Sequence, residues 1–139
     1  MRRLVWIALD AALVVVFAVI GRASHDEPLD AAGIARTALP FLGGLLFAWI
    51  LMVRRRQSGV TMFDGLYAWA GTLVLGMLFR ALIGDGTAIL FIVVAAGILA
   101  AFLIGWRAAY ALITGRRGER PRAKDPRRSG NPAKRDAAR

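Results

Sequence analysis

Four long apolar runs, separated by short polar connections, dominate the sequence. A bilayer core is about 30 Å thick, and a helix rising about 1.5 Å per residue needs about 20 mostly apolar residues to cross it. The runs fall at about 4–20, 31–53, 62–83 and 88–107, the last with a possible extension to 113. A chain of 139 residues is long enough for one domain. It cannot shield four such helices from water with its own atoms, so lipid is the solvent they imply. The 58% hydrophobic content agrees, since soluble domains average about 45–50%. The expected fold class is therefore all-α: a polytopic membrane protein with a four-transmembrane-helix bundle over 1–114 and a disordered basic tail over 115–139.

Charge orients the bundle. Residues 1–106 carry 8 Lys/Arg against 6 Asp/Glu, whereas 107–139 carry 11 against 3. Arg2 and Arg3 precede the first run, Arg54, Arg55 and Arg56 follow the second, and the basic tail follows the fourth. The other two connections are acidic, with Asp26, Glu27, Asp30 and Asp85 against Arg22. Lys and Arg favour the cytoplasmic side, which places both termini in the cytoplasm. Trp6, Trp49, Trp69 and Trp106 fall near the same ends, where indoles favour the headgroup boundary. Only Lys124 and Lys134 among 19 basic residues are lysine. Together with abundant Ala and Gly, this suggests a GC-rich bacterial genome and hence a bacterial plasma membrane. The first run also has the outline of a signal peptide, with Gly21-Arg22-Ala23 as a cleavage site. Its core is long for that role and Arg22 is awkward there, so it is read as a retained helix.

Local signals set the helix ends. Asp30 is placed to cap the second run, in which Pro40 should introduce a kink. Thr61-Met62-Phe63-Asp64 reads as a capping box. Gly84-Asp85-Gly86-Thr87 forms a tight turn into the fourth run, with Asp85 or Thr87 as cap. Small residues recur every fourth position: Gly97, Ala101, Gly105 and Ala109 in the fourth run, and Ala68, Thr72 and Gly76 in the third. Ala8 and Ala12 in the first run, with Gly44 and Ala48 in the second, offer further close approaches. Such stripes serve bundle packing or a homodimer seam.

Charged residues at membrane depth are the candidate sites. Asp10 lies roughly 9 Å inside the first helix by its rise, level with Trp69 and Thr72 and within reach of Arg107. A structural reading satisfies its carboxylate by a hydroxyl, an indole N–H or Arg107. A functional one makes it a proton relay or cation ligand. Arg80 stands one turn from the outer end of the third helix, where Arg22, Arg36 and His25 could join it. With the amide N–H groups at Gly86 and Thr87, these residues suit an anion: phosphate, carboxylate or lipid headgroup. Pairing of Arg80 with Asp85, Asp26, Glu27 or Asp30 is the competing structural reading.

Catalytic chemistry finds little support. The chain has no cysteine, which excludes disulfides and thiolate chemistry. It contains no Gly-x-Ser-x-Gly, His-Glu-x-x-His or phosphate-binding lysine loop. His25-Asp26-Glu27 is a poor metal set, because adjacent residues rarely converge on one ion, and no metal or cofactor is expected. The tail residues Arg116, Arg117, Arg120, Arg122, Lys124, Arg127 and Arg128 would attract an anionic leaflet. Nucleic acid is not expected as a partner, since the tail lacks aromatic residues for stacking.

Several of these residues also form a pattern: Gly21-Arg22-x-Ser24-His25, Pro40-Phe41-x-x-Gly44, Gly76-Met77-x-x-Arg80, Gly84-x-Gly86-Thr87-Ala88 with Phe91, and Gly105-Trp106-Arg107. The pattern resembles a family of small membrane proteins, common in actinobacteria, known as domain of unknown function 3054. It covers about residues 4–112. The resemblance implies a four-helix membrane domain and brings no activity with it. The leading expectation is a non-enzymatic membrane protein that binds an anionic ligand or lipid headgroup at its extracytoplasmic face. A partner-binding or scaffold subunit of a membrane complex, and a small transporter or channel acting as an oligomer, are the alternatives.

Overall fold

The computed structural model describes residues 2–118, all placed in helices and short connections. The helices are α1 (Arg2–Ser24), α2 (Ala31–Arg54), α3 (Met62–Leu82), α4 (Ile89–Leu103) and α5 (Gly105–Gly118). Among the described residues, four helical stretches are long and apolar enough to cross a membrane: Arg3–Ser24, Ala31–Arg54, Met62–Leu82 and Ile89–Gly115. The last comprises α4 and most of α5. Large apolar side chains such as Leu39, Phe47, Val74, Leu90 and Val93 face outwards, as expected where the surrounding medium is itself apolar.

Caps explain where the helices start. The Gly33 N–H donates to Asp30 Oδ1 at 2.9 Å and fixes the start of α2. That bond holds the Asp30 carboxyl below the usual carboxylate range. At α3 the Asp64 N–H donates to Thr61 Oγ1 at 3.1 Å, and the Thr61 N–H donates back to Asp64 Oδ2 at 3.0 Å, a reciprocal capping box. The start of α4 departs from expectation. Its cap is Ala88, with no side-chain bond, because the Asp85 carboxylate is engaged by arginines instead. The helix α1 runs past Ile20 to Ser24, whose hydroxyl donates back to the Ile20 carbonyl at 2.8 Å. This extension brings Arg22 onto the last turn of α1. The helix α2 runs unbroken through Pro40. The last helix reaches Gly118, past the furthest end expected, so Arg116 and Arg117 belong to it rather than to a disordered tail. Arg120, Arg122, Lys124, Arg127 and Arg128 lie outside the described residues.

The helices neighbour one another in the order α1, α2, α3, α4, with α4 closing back on α1. The tightest seam is α2 against α3, where glycine lets two backbones meet. A Cβ at Gly44 would stand 2.7 Å from the Gly71 carbonyl oxygen, 3.0 Å from that of Thr72 and 3.1 Å from the Gly76 nitrogen. Gly76 in turn lies under the Phe41 ring, and Gly71 against the Ala48 methyl. In lipid, where helix association draws on van der Waals contact, such approaches are the main source of packing energy. Phe41 also meets Phe17 of α1 edge to face, with ring centroids 5.1 Å apart.

The small-residue stripes of the other helices do not pack in this way. Ala8, Ala12, Gly97 and Ala101 are exposed, and a Cβ added at Gly97 or Gly105 would meet nothing within 4 Å. The helix α4 turns Ala95 and Leu99 inwards, and α1 turns Val14, Phe17 and Ala18 inwards. Spacing alone identifies a smooth face without saying which way it points. Gly44→Leu should therefore destabilise the bundle by about 1–3 kcal/mol or more through overpacking, read as a lowered thermal midpoint in detergent. Gly97→Leu should leave that midpoint unchanged.

Candidate functional site

The two ends of the bundle hold two different polar clusters. At the arginine-rich end, Asp10 of α1 and Arg107 of α5 are both fully buried, at 0% exposure. They form a bidentate pair: Arg107 Nη1 donates to Oδ1 at 3.0 Å and Nη2 to Oδ2 at 2.7 Å. Two indoles complete the carboxylate shell. Trp49 Nε1 donates to Oδ2 at 2.9 Å and Trp106 Nε1 to Oδ1 at 2.8 Å. Arg107 extends further, from Nε to the Gly59 carbonyl at 3.0 Å and from Nη1 to the Leu103 carbonyl at 2.6 Å. The helix is interrupted next to that carbonyl, at Ile104, and a side chain bonding into the ladder is a known cause of such breaks.

Burying a charge costs several kcal/mol per ion unless the partner and the remaining lone pairs are satisfied. Here they are satisfied. The carboxylate accepts four hydrogen bonds, which fills its capacity of about four lone-pair sites. No lone pair is left for a proton relay or a cation. The structural reading of Asp10 is the one the geometry supports, with Arg107 and two indoles as its partners. Those indoles are not Trp69, which donates to the Ala96 carbonyl at 2.9 Å. Thr72 is not a partner either, and its buried hydroxyl has no hydrogen-bond partner among the described residues.

A second carboxylate shapes the floor of this cluster. Asp64 Oδ2 accepts from the Ser58 hydroxyl at 3.0 Å and from the Gly59 N–H at 2.9 Å, besides closing the capping box. The α2–α3 connection is thereby folded so that the Gly59 carbonyl points at Arg107. Gly59 has φ +86° and packs against the Trp49 ring, leaving no room for a Cβ.

At the opposite end an open cavity of about 510 Å³ lies between α1, α2, α3 and the α3–α4 turn. Arg22, His25, Arg36, Thr37 and Arg80 supply its polar wall, Glu27 and Asp85 its carboxylates, and Phe17 and Phe91 its apolar floor. Three guanidinium groups thus face two carboxylates. Arg22 pairs with Glu27 at 2.7 Å and donates to the Pro28 carbonyl at 2.9 Å. Asp85 is shared, at 2.9 Å from Arg36 and 3.6 Å from Arg80. Arg80 lies 4.6 Å above the Phe91 ring centroid. Its Nε is buried without a hydrogen-bond partner among the described residues. Arg36 is different: its side chain is 70% exposed and bonds across the cavity mouth.

Arg80, Arg22 and His25 therefore meet in one cavity, together with Arg36. Gly86 and Thr87 do not line it. The Gly86 carbonyl accepts from Arg80 Nη2 at 3.3 Å, so this turn presents an acceptor to the cluster where amide donors were expected. Residues 7–110 match the family described as Protein of unknown function (DUF3054). The chain belongs to that family. No curated protein and no solved structure matches it.

The DUF3054 match takes in both polar clusters and stops short of the tail. Sequence reasoning missed Thr37 and Phe17 as cavity residues, which carry no motif of their own, and placed Phe91 in the family pattern without giving it a role in the cavity. It also missed Gly59, although Ser58-Gly59 before a capping box marks a constrained turn. Gly59→Ala should destabilise the DUF3054 domain by more than about 1 kcal/mol, since it combines a disfavoured φ with a clash on Trp49. Denaturant titration with Trp fluorescence would show an earlier transition. Gly84 also has a positive φ, but an added Cβ there meets nothing, so Gly84→Ala should cost only its backbone strain.

Proposed function

We propose that this chain is a non-enzymatic membrane protein that binds an oxyanion, a phosphate or carboxylate, in the cavity formed by Arg22, His25, Arg36 and Arg80. By the positive-inside rule that cavity faces the extracytoplasmic side. The observation that carries the reading is the charge balance of an open cavity: three arginines against two carboxylates, with Arg80 Nε buried and unpartnered. Guanidinium groups bind carboxylate and phosphate through paired N–H donors. The apolar floor of Phe17 and Phe91 suits an anion that carries an apolar portion.

Asp85 occupies the place such an anion would take between Arg36 and Arg80. It acts as an internal stand-in that the ligand displaces. Arg36, exposed and reaching across the mouth, is the side chain free to swing aside. At the other end, the basic tail holds the chain against the anionic leaflet. Asp10 takes no part in transport on this reading.

Two arms of one experiment separate the sources of the oxyanion. Purified protein is titrated with inorganic phosphate and with a short-chain phosphatidic acid, and thermal stabilisation is followed. A lipid-derived ligand stabilises only in the second arm, and a free anion in the first as well. Asp85→Asn should raise the apparent affinity about tenfold, because freeing charge-assisted bonds is worth about 1.5 kcal/mol. Arg80→Gln should abolish the stabilisation. Absence of stabilisation in both arms for wild type and for Asp85→Asn contradicts the reading.

A further inference from the structure

Among the described residues, a groove of about 430 Å³ also lies between α1 and α2, on the flank of the arginine-rich half. Its walls are apolar, formed by Ile7 and Ala11 of α1 and by Leu42, Leu46, Ile50 and Val53 of α2. Arg54 closes one end. From Leu42 to Arg54 the groove follows α2 for about 18 Å by helical rise. One leaflet of hydrocarbon is about 15 Å deep, half of a bilayer core. The groove thus runs from midplane to headgroup level on a single side.

The charge at its mouth is one-sided. Arg54, Arg55 and Arg56 are exposed, and among the described residues none of them pairs with a carboxylate. Arg55 instead lies over the Tyr67 ring, 5.9 Å from its centroid. An apolar slot one leaflet deep with unneutralised guanidinium groups at its end fits an amphiphile with a long chain and a negative head. We infer that this groove holds an acyl chain of an anionic phospholipid from the leaflet on the arginine-rich side, with its phosphate on Arg54. The site lies at the opposite end from the oxyanion cavity and does not depend on it.

Trp49 also lines the groove while its Nε1 bonds to Asp10. An occupying chain therefore borders an almost wholly buried indole that helps hold the ion pair, so lipid occupancy should reinforce the bundle.

Native mass spectrometry of the full-length protein, released from nanodiscs of equal phosphatidylglycerol and phosphatidylcholine, tests the site. Wild type should retain phosphatidylglycerol in preference to phosphatidylcholine. Arg54→Gln, a change at an exposed side chain that leaves the fold intact, should lower that preference about fivefold, near the effect of one basic residue at a membrane surface. Ala11→Phe should lower retention of both lipids by filling the slot. Equal retention of the two lipids by wild type overturns the proposal. So does unchanged preference in Arg54→Gln, which removes the phosphate contact, or unchanged retention in Ala11→Phe, which reduces the effect to surface charge.

Discussion

One buried ion pair ties the arginine-rich end of this bundle together. Asp10 enters from α1, Trp49 from α2, the Gly59 carbonyl from the α2–α3 connection, and Trp106 and Arg107 from α5. Hydrophobicity cannot register apolar helices against one another when lipid is equally apolar. A charged group with a full set of partners can, because any other register leaves a charge unpaired in a low-dielectric interior. The pair therefore specifies the arrangement more than it adds net stability. The glycine seam between α2 and α3 supplies the close packing, and Asp64 folds the connection that brings Gly59 under Arg107.

The buried Asp10–Arg107 cluster and the cluster at the opposite end differ in one physical respect. In the Asp10–Arg107 cluster every acceptor site of the carboxylate is filled and both side chains are fully buried. At the other end the charges do not balance, Asp85 divides itself between two arginines, and a cavity stays open. A closed cluster is a fastening, and an open one with a surplus charge is a place for a ligand. The same contrast explains why Asp10, the most conspicuous intramembrane charge in the sequence, is the less promising functional residue.

Much of the architecture was legible because apolar length and local capping chemistry are written directly in the residues. Apolar length marks the four helical stretches long and apolar enough to cross a membrane, and Asp30 and Thr61 mark helix starts through local chemistry that no tertiary contact overrides. The convergence of Arg22, His25, Arg36 and Arg80 was legible because all four stand at the same depth. Facing directions were not. The indoles were expected at the headgroup boundary by a statistical preference, yet Trp49 and Trp106 turn inwards to a carboxylate that outbids the interface. The Gly97–Ala101 stripe suits bundle packing or a homodimer seam, and within the bundle α4 presents Ala95 and Leu99 instead. Gly86 and Thr87 were read as amide donors, but the geometry of a tight turn gave Arg80 a carbonyl. In each case the residue type was informative and the rotation of its helix or turn was set by distant partners.

The fastening role of the buried pair is best tested by a double-mutant cycle on Asp10→Leu and Arg107→Met, followed by unfolding in mixed micelles. Each single variant strands one buried charge and should lose about 3–5 kcal/mol. The double variant strands none, so its loss should fall well below the sum of the singles. Additive losses, or single variants as stable as wild type, would show that the bundle does not depend on the pair.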